Sequence, residues 1–162
     1  IEWHFIGHLQ KNKVRKVVEH CEMIHSVDSI SLAQRVNNIS ADVEPETPQK
    51  ILIQVNVAED DAKFGLSVAE AEAHFKDLLE LEHVEICGLM TIPNFDPDPE
   101  ATRPAFARLR ELRDRLVAQY GVSLPHLSMG MSHDFHVAVE EGATYVRVGS
   151  SIFGARDYAK PA

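Results

Sequence analysis

The run Ile51-Leu52-Ile53-Gln54-Val55-Asn56-Val57 constrains the fold of this chain more than any other stretch. It is rich in β-branched residues and nearly continuous in apolar character. A strand with one wet face would alternate, so both faces of this one must be covered, as in a parallel sheet wrapped by helices. The sequence supplies those helices. Ser67 to about Glu80 places Val68, Ala71, Phe75 and Leu78 three and four residues apart, and about Arg103 to Ala118 does the same with Phe106, Leu109, Leu112 and Leu116. Further helices are predicted from Leu9 to His20 and from an Asp28-Ser29 cap to about Asn38. Strands are predicted at Ile1 to Ile6, Met23 to Val27, Val84 to Ile92, Leu127 to Met129 and Tyr145 to Val148. Ser40 to Gln49 and Asn94 to Pro99, with their prolines and acids, read as exposed connectors. Six strands alternating with helices imply parallel strands joined by crossover helices. Alternation alone does not separate a (β/α)8 barrel from an open doubly wound sheet.

The 162 residues suffice for one domain with a sizeable core, and nothing in the chain suggests a second. A balance of 16 basic against 25 acidic residues gives a net charge of −9, which argues against a general nucleic-acid or anionic-membrane surface. No apolar run is long enough to span a bilayer, and no charged-then-apolar leader opens the chain. Cys21 and Cys87 are too few for a disulfide framework and read as buried thiols of a reducing compartment. The expected location is therefore the cytoplasm. The chain opens with Ile1-Glu2-Trp3, in what reads as the middle of a strand, so the natural N-terminus is expected to lie upstream.

The chemistry concentrates between Leu127 and Arg156. A short strand meets Gly130, and a helix is expected to begin near Ser132 and Asp134 with Phe135, Ala138 and Val139 on one face, ending at Gly142. A second strand, Tyr145 to Val148, opens at once into Gly149-Ser150-Ser151. Two strand ends that turn through glycine and serine suit an anionic group such as phosphate. Glycine admits close backbone approach, amides donate, and serine adds a hydroxyl. Arg147 is a charge within a β-forming run, read either as a strand-end arginine paired with a helix acid or as a ligand contact. His133 and His136 beside Asp134 are weak evidence for a metal, and Lys11, Lys13, Arg15 and Lys16 read as a solvated helix face.

Three segments carry a family resemblance: WHFIGHLQKNK from Trp3, GLMTIP from Gly88, and SMGMS with GATYVRVGSSIFGAR near the end. In this order they closely resemble the pyridoxal 5′-phosphate homeostasis proteins of the YggS/PROSC type, across essentially the whole chain. The resemblance implies a TIM-like (β/α)8 barrel of the alanine-racemase N-domain type, here lacking its first two strands. It implies that Gly130, Met131, Ser132, Gly149 and Ser150 hold the phosphate of pyridoxal phosphate, with Arg147 beside the pyridine nitrogen. Asn56, Met90 and His4 would line the same mouth, although for Met90 core packing is the commoner role. The family holds its cofactor through a lysine Schiff base on the first barrel strand, upstream of Ile1, and neither Lys50 nor Lys63 matches that lysine. The implied function is cofactor binding and buffering within the cell for pyridoxal-phosphate-dependent apoenzymes, with no established turnover. Two alternatives stay open: an amino-acid racemase or decarboxylase relative, and a barrel for another phosphorylated metabolite.

Overall fold

The computed structural model describes residues 1–60 and 62–154. Six strands, β1 (His4–Phe5), β2 (Met23–Val27), β3 (Gln49–Gln54), β4 (Val84–Met90), β5 (His126–Met131) and β6 (Tyr145–Arg147), form one sheet in chain order. Every neighbouring pair is parallel. Between them run α1 (Val14–Val18), α2 (Ile30–Val43), α3 (Val68–Leu79), α4 (Arg103–Tyr120) and α5 (Phe135–Glu140), and α6 (Ser150–Phe153) follows β6.

The sheet curls. In a flat sheet β1 and β6 would stand roughly 24 Å apart at the usual strand spacing. Instead the ring of His4 on β1 lies 5.3 Å from that of Tyr145 on β6. A hydrogen bond from β2 to β5, His25 to Ser128 at 2.8 Å, crosses the same interior. This is the β/α barrel architecture expected from the family resemblance.

The strands' outward residues, such as Ile24, Ile51, Ile53, Leu89 and Leu127, join the helix faces in one large core. Val68, Ala71, Phe75 and Leu78 of α3, and Phe106, Leu109, Leu112 and Leu116 of α4, pack there as their spacing predicts. The inward residues form a small apolar cluster of Met23, Leu52, Cys87 and Met90. Beyond it the interior is polar.

Several boundaries depart from expectation for local reasons. Helix α2 is capped by Ser29, whose hydroxyl accepts from the Leu32 amide at 3.2 Å. It continues to Val43 rather than Asn38, because Ile39 and Ser40 are buried and the Ser40 hydroxyl folds back onto the Val36 carbonyl. The predicted helix over Leu9 to His20 is shorter, a 3-10 turn at Lys11–Lys13 leading into α1. Only His4–Phe5 of the first apolar run pairs in the sheet. The buried run after Gln54 leaves the ladder to bridge Leu66 from Val55. Cys87 is buried as expected, whereas Cys21 is only half-buried.

Gly88 explains itself through β5: a side chain there would stand 1.9 Å from the His126 carbonyl oxygen. Gly130 does not end β5 but sits inside it at φ +93, against α5. That helix begins at Phe135, later than Ser132, and turns Val137 and Ala138 inward, leaving Phe135 and Val139 exposed.

Candidate functional site

The late start of α5 frees Ser132 for another task. Its hydroxyl oxygen accepts from the backbone amides of Gly149, at 3.1 Å, and Ser151, at 3.3 Å. Asp134 instead takes the Met131 amide at 2.7 Å and fixes the turn. The loops after β5 and β6 thereby converge on one point, with α6 starting at Ser150. Among the described residues nothing stands within 4 Å of where a Gly149 side chain would project.

Arg147, at the end of β6, points into the barrel. Its guanidinium donates to the Ser128 hydroxyl at 2.8 Å and to the Thr91 carbonyl at 2.9 Å. Both partners are neutral, and among the described residues no carboxylate bonds the guanidinium; Asp134 contributes through its field. Desolvation pulls the Arg147 pKa down to about 10, a shift that the Asp134 charge opposes, and the group stays protonated at neutral pH.

A polar chain continues from there. Ser128 is fully buried and its hydroxyl lies 2.8 Å from His25 Nδ1, while His25 Nε2 lies 3.0 Å from His4 Nδ1. Tyr145 sits across these rings, 5.1 Å from His25 and 4.8 Å from His126. Burial first, and then the neighbouring His4, Arg147 and His126, push the His25 pKa down to about 3, so this imidazole is neutral.

Two clefts flank Arg147. One, of about 450 Å³, is lined by His4, His25, Tyr145, Arg147 and Phe153 among others. The second, of about 460 Å³, is lined by Phe95, Met131, Ser132, Arg147 and Ser150 among others. They share Ile6, Arg147 and Gly149 and form one mouth at the carboxyl ends of the strands, of a size typical for small-molecule sites.

The structure thus brings together His4, Met131, Ser132, Arg147, Gly149 and Ser150. Met90 is fully buried among Met23, Leu52 and Cys87, beneath the mouth. Asn56 turns into its own loop, donating to the Asp60 carbonyl at 2.8 Å. Gly130 serves the packing of α5. Among the described residues no cluster of three metal-ligating side chains occurs, and His133 bonds the Pro97 carbonyl. Ala155 and Arg156 of the sequence signature lie outside the described residues. The residues that sequence reasoning passed over are His25, Ser128, Thr91 and Tyr145. Their available signal was a polar group at an inward position of an otherwise apolar strand, as in Met23-Ile24-His25-Ser26-Val27.

Comparison with known proteins agrees with this geometry. The family model for the alanine racemase N-terminal domain matches residues 2–157. The pyridoxal phosphate homeostasis protein of Aquifex aeolicus is 49% identical over 158 residues, 98% of this chain and 68% of that protein. Its counterpart in Mus musculus is 44% identical over 168 residues, 99% of this chain and 61% of that protein. The structure of PipY from Synechococcus elongatus with pyridoxal phosphate bound superposes with a TM-score of 0.87 at 40% identity, over 95% of this chain and 71% of that one. With the curled parallel sheet, the strand-end mouth and these similarities in place, the chain belongs to the pyridoxal phosphate homeostasis protein family, built on the alanine racemase N-terminal domain fold.

Proposed function

We propose that this chain binds pyridoxal phosphate at the mouth around Arg147 and serves pyridoxal phosphate homeostasis in the cytoplasm, buffering the cofactor and yielding it to dependent apoenzymes. The observation that carries the reading is the convergence of the Gly149 and Ser151 amides on the Ser132 hydroxyl, next to a desolvated arginine bonded, among the described residues, to a hydroxyl and a carbonyl. Hydroxyl and amides suit the three acceptor oxygens of a phosphate, and no described residue fills the space beside Gly149. Met131, Ser150 and His4 border the same mouth. No described helix is long and apolar enough to cross a membrane, and Cys21 and Cys87 are free thiols, which supports the cytoplasmic assignment.

When bound, the cofactor supplies a reactive aldehyde on an electron-withdrawing ring. The chain's own residues decide how that ring is held. With the pyridine nitrogen beside it, as the family resemblance implies, a protonated Arg147 would keep that nitrogen unprotonated, since two cations repel. The ring is then a poor electron sink, which suits carriage of the cofactor rather than its use.

The test is retention of pyridoxal phosphate followed by absorbance, with inorganic phosphate and sugar phosphates as competitors, and intact mass after borohydride reduction. Retention that phosphate competes away is expected, and Ser132→Ala should weaken it roughly tenfold, the worth of one hydrogen bond to a charged group. Equal competition by sugar phosphates would overturn the cofactor assignment. A reduced adduct on a lysine of this chain would overturn the expectation that the covalent anchor lies upstream.

A further inference from the structure

We infer that His25 is the positioning residue of this site, orienting Arg147 through Ser128 and holding His4 neutral with its proton on Nε2. The argument is one of hydrogen-bond bookkeeping in a closed space. The Ser128 hydroxyl has one proton to give and two lone pairs, and the residue is fully buried. Arg147 can only donate, so its 2.8 Å contact takes a lone pair. The hydroxyl proton then needs an acceptor. The other group bonded to that oxygen is His25 Nδ1, at 2.8 Å. His25 Nδ1 is therefore bare, and its proton sits on Nε2. That N–H faces His4 Nδ1 at 3.0 Å, which must be bare in turn. His4 is left neutral, with its proton on Nε2.

The direction of the whole chain is set by the permanent charge of Arg147. The reverse direction would strand the Ser128 proton without an acceptor. A doubly protonated His25 would do the same and add a cation one serine away from the guanidinium. The titratable and charged groups that face His25 are His4, Tyr145, His126 and Arg147, and no carboxylate is among the causes acting on it to favour the charged form.

The cleft is therefore lined by two donor side chains, the guanidinium of Arg147 and His4 with its remaining proton on Nε2. The ligand edge that meets them is an acceptor edge: an aromatic ring with a bare ring nitrogen or an ionised ring oxygen, and not an amino or protonated-nitrogen edge. This deepens the pyridoxal phosphate reading and rests on it for the identity of the ligand alone.

Histidine-selective 15N labelling and long-range proton–nitrogen correlation spectra of the ligand-free protein test the chain directly. His4 and His25 should each show a bare Nδ1 and a protonated Nε2, with His25 not titrating between roughly pH 8 and pH 5. A protonated His25 Nδ1, or titration of His25 near the ordinary histidine value, would overturn the inference. A second arm uses His25→Asn, whose amide sits near the Nδ1 position and can accept from Ser128 without reaching His4, and His25→Phe, which does neither. His25→Asn should keep pyridoxal phosphate affinity within roughly threefold of wild type and release His4 from the Nε2–H tautomer, while His25→Phe should lose at least about tenfold. A His4 tautomer unchanged in His25→Asn would reduce His25 to a packing residue and refute the proposal. Failure of the wild-type protein to bind pyridoxal phosphate would count against the proposed function, and the ligand-free spectra would still decide the role of His25.

Discussion

Gly130→Ala is the substitution whose effect the structure fixes most tightly. The residue lies inside β5 at φ +93, where an L side chain is strained by about 1–3 kcal/mol. An added methyl would also meet the Ala138 side chain at 2.6 Å and the Phe135 backbone at 3.0 Å. Overpacking of that kind costs about 1–3 kcal/mol more, because α5 must back away from the strand. The expected loss is about 2–6 kcal/mol, a large share of the stability of a domain this size. Urea unfolding followed by circular dichroism should show a lower midpoint with an unchanged slope. Ala138→Gly in the same chain removes the 2.6 Å contact but not the strain, so the double variant should recover about 1 kcal/mol or more relative to simple additivity. Ser132 stands on the same turn, so a displaced α5 should also weaken cofactor retention. A loss below about 1 kcal/mol, or strict additivity with Ala138→Gly, would refute the packing account. Weakened retention with unchanged stability would instead make Gly130 a phosphate contact.

Three further outcomes follow from the surroundings of the site. Ser67 and Glu70 form a reciprocal capping box on α3, so Ser67→Ala should cost about 1 kcal/mol in urea unfolding without altering cofactor retention. Glu141 ties α5 to α4 through Arg103, at 3.0 Å, and Arg110, and the Arg103 bond foremost holds its carboxyl below the usual range. Its contribution is fully present above about pH 4.5 and is lost as pH falls through the depressed folded value, so a Glu141→Gln variant should show a flatter acid-unfolding profile than wild type. Burial pushes the Cys87 thiol up to about 11, whereas Cys21 is half-buried, so a thiol reagent should modify Cys21 first and leave Cys87 until the protein unfolds.

What the sequence made legible follows physical range. Periods of two and of three to four residues are local properties, and they located all six strands and the helices α2 to α4, though not the ends of β1, β3 and α2. Helix starts were read well where the cap is local, as at Ser29 and Ser67. The reading slipped at Ser132, whose hydroxyl serves amides 17 and 19 residues away instead of its own helix. No local pattern encodes that choice. The two glycine–serine turns and Arg147 were visible because glycine, serine and arginine are conspicuous at strand ends. Asn56 and Gly130 were equally conspicuous, yet their side-chain space is spent within the fold, on the Asp60 loop and on α5. His25 and Ser128 were hidden because their meaning lies in a contact between strands 103 residues apart, made only once the sheet curls.

The energetic position of Arg147 gives the last test. Holding a guanidinium near pKa 10, below the ordinary arginine range, corresponds to about 3 kcal/mol of desolvation that the free protein bears. Against this, its two hydrogen bonds satisfy the Ser128 hydroxyl and the Thr91 carbonyl, both buried. Removing Arg147 leaves the Thr91 carbonyl unpaired, at about 1–3 kcal/mol, while Ser128 keeps its bond to His25 Nδ1, so the two effects nearly cancel. Arg147→Met, which fills the space without a charge, should therefore leave the unfolding free energy of the ligand-free protein within about 2 kcal/mol of wild type. Ordinary network residues behave otherwise, because truncating one of them removes bonds without relieving a buried charge. Affinity for the anionic cofactor should fall by at least about tenfold, since the desolvated cation is what the ligand compensates. A large stability loss with intact affinity would show that Arg147 belongs to the scaffold, and that the anion is held by the Ser132 turn alone.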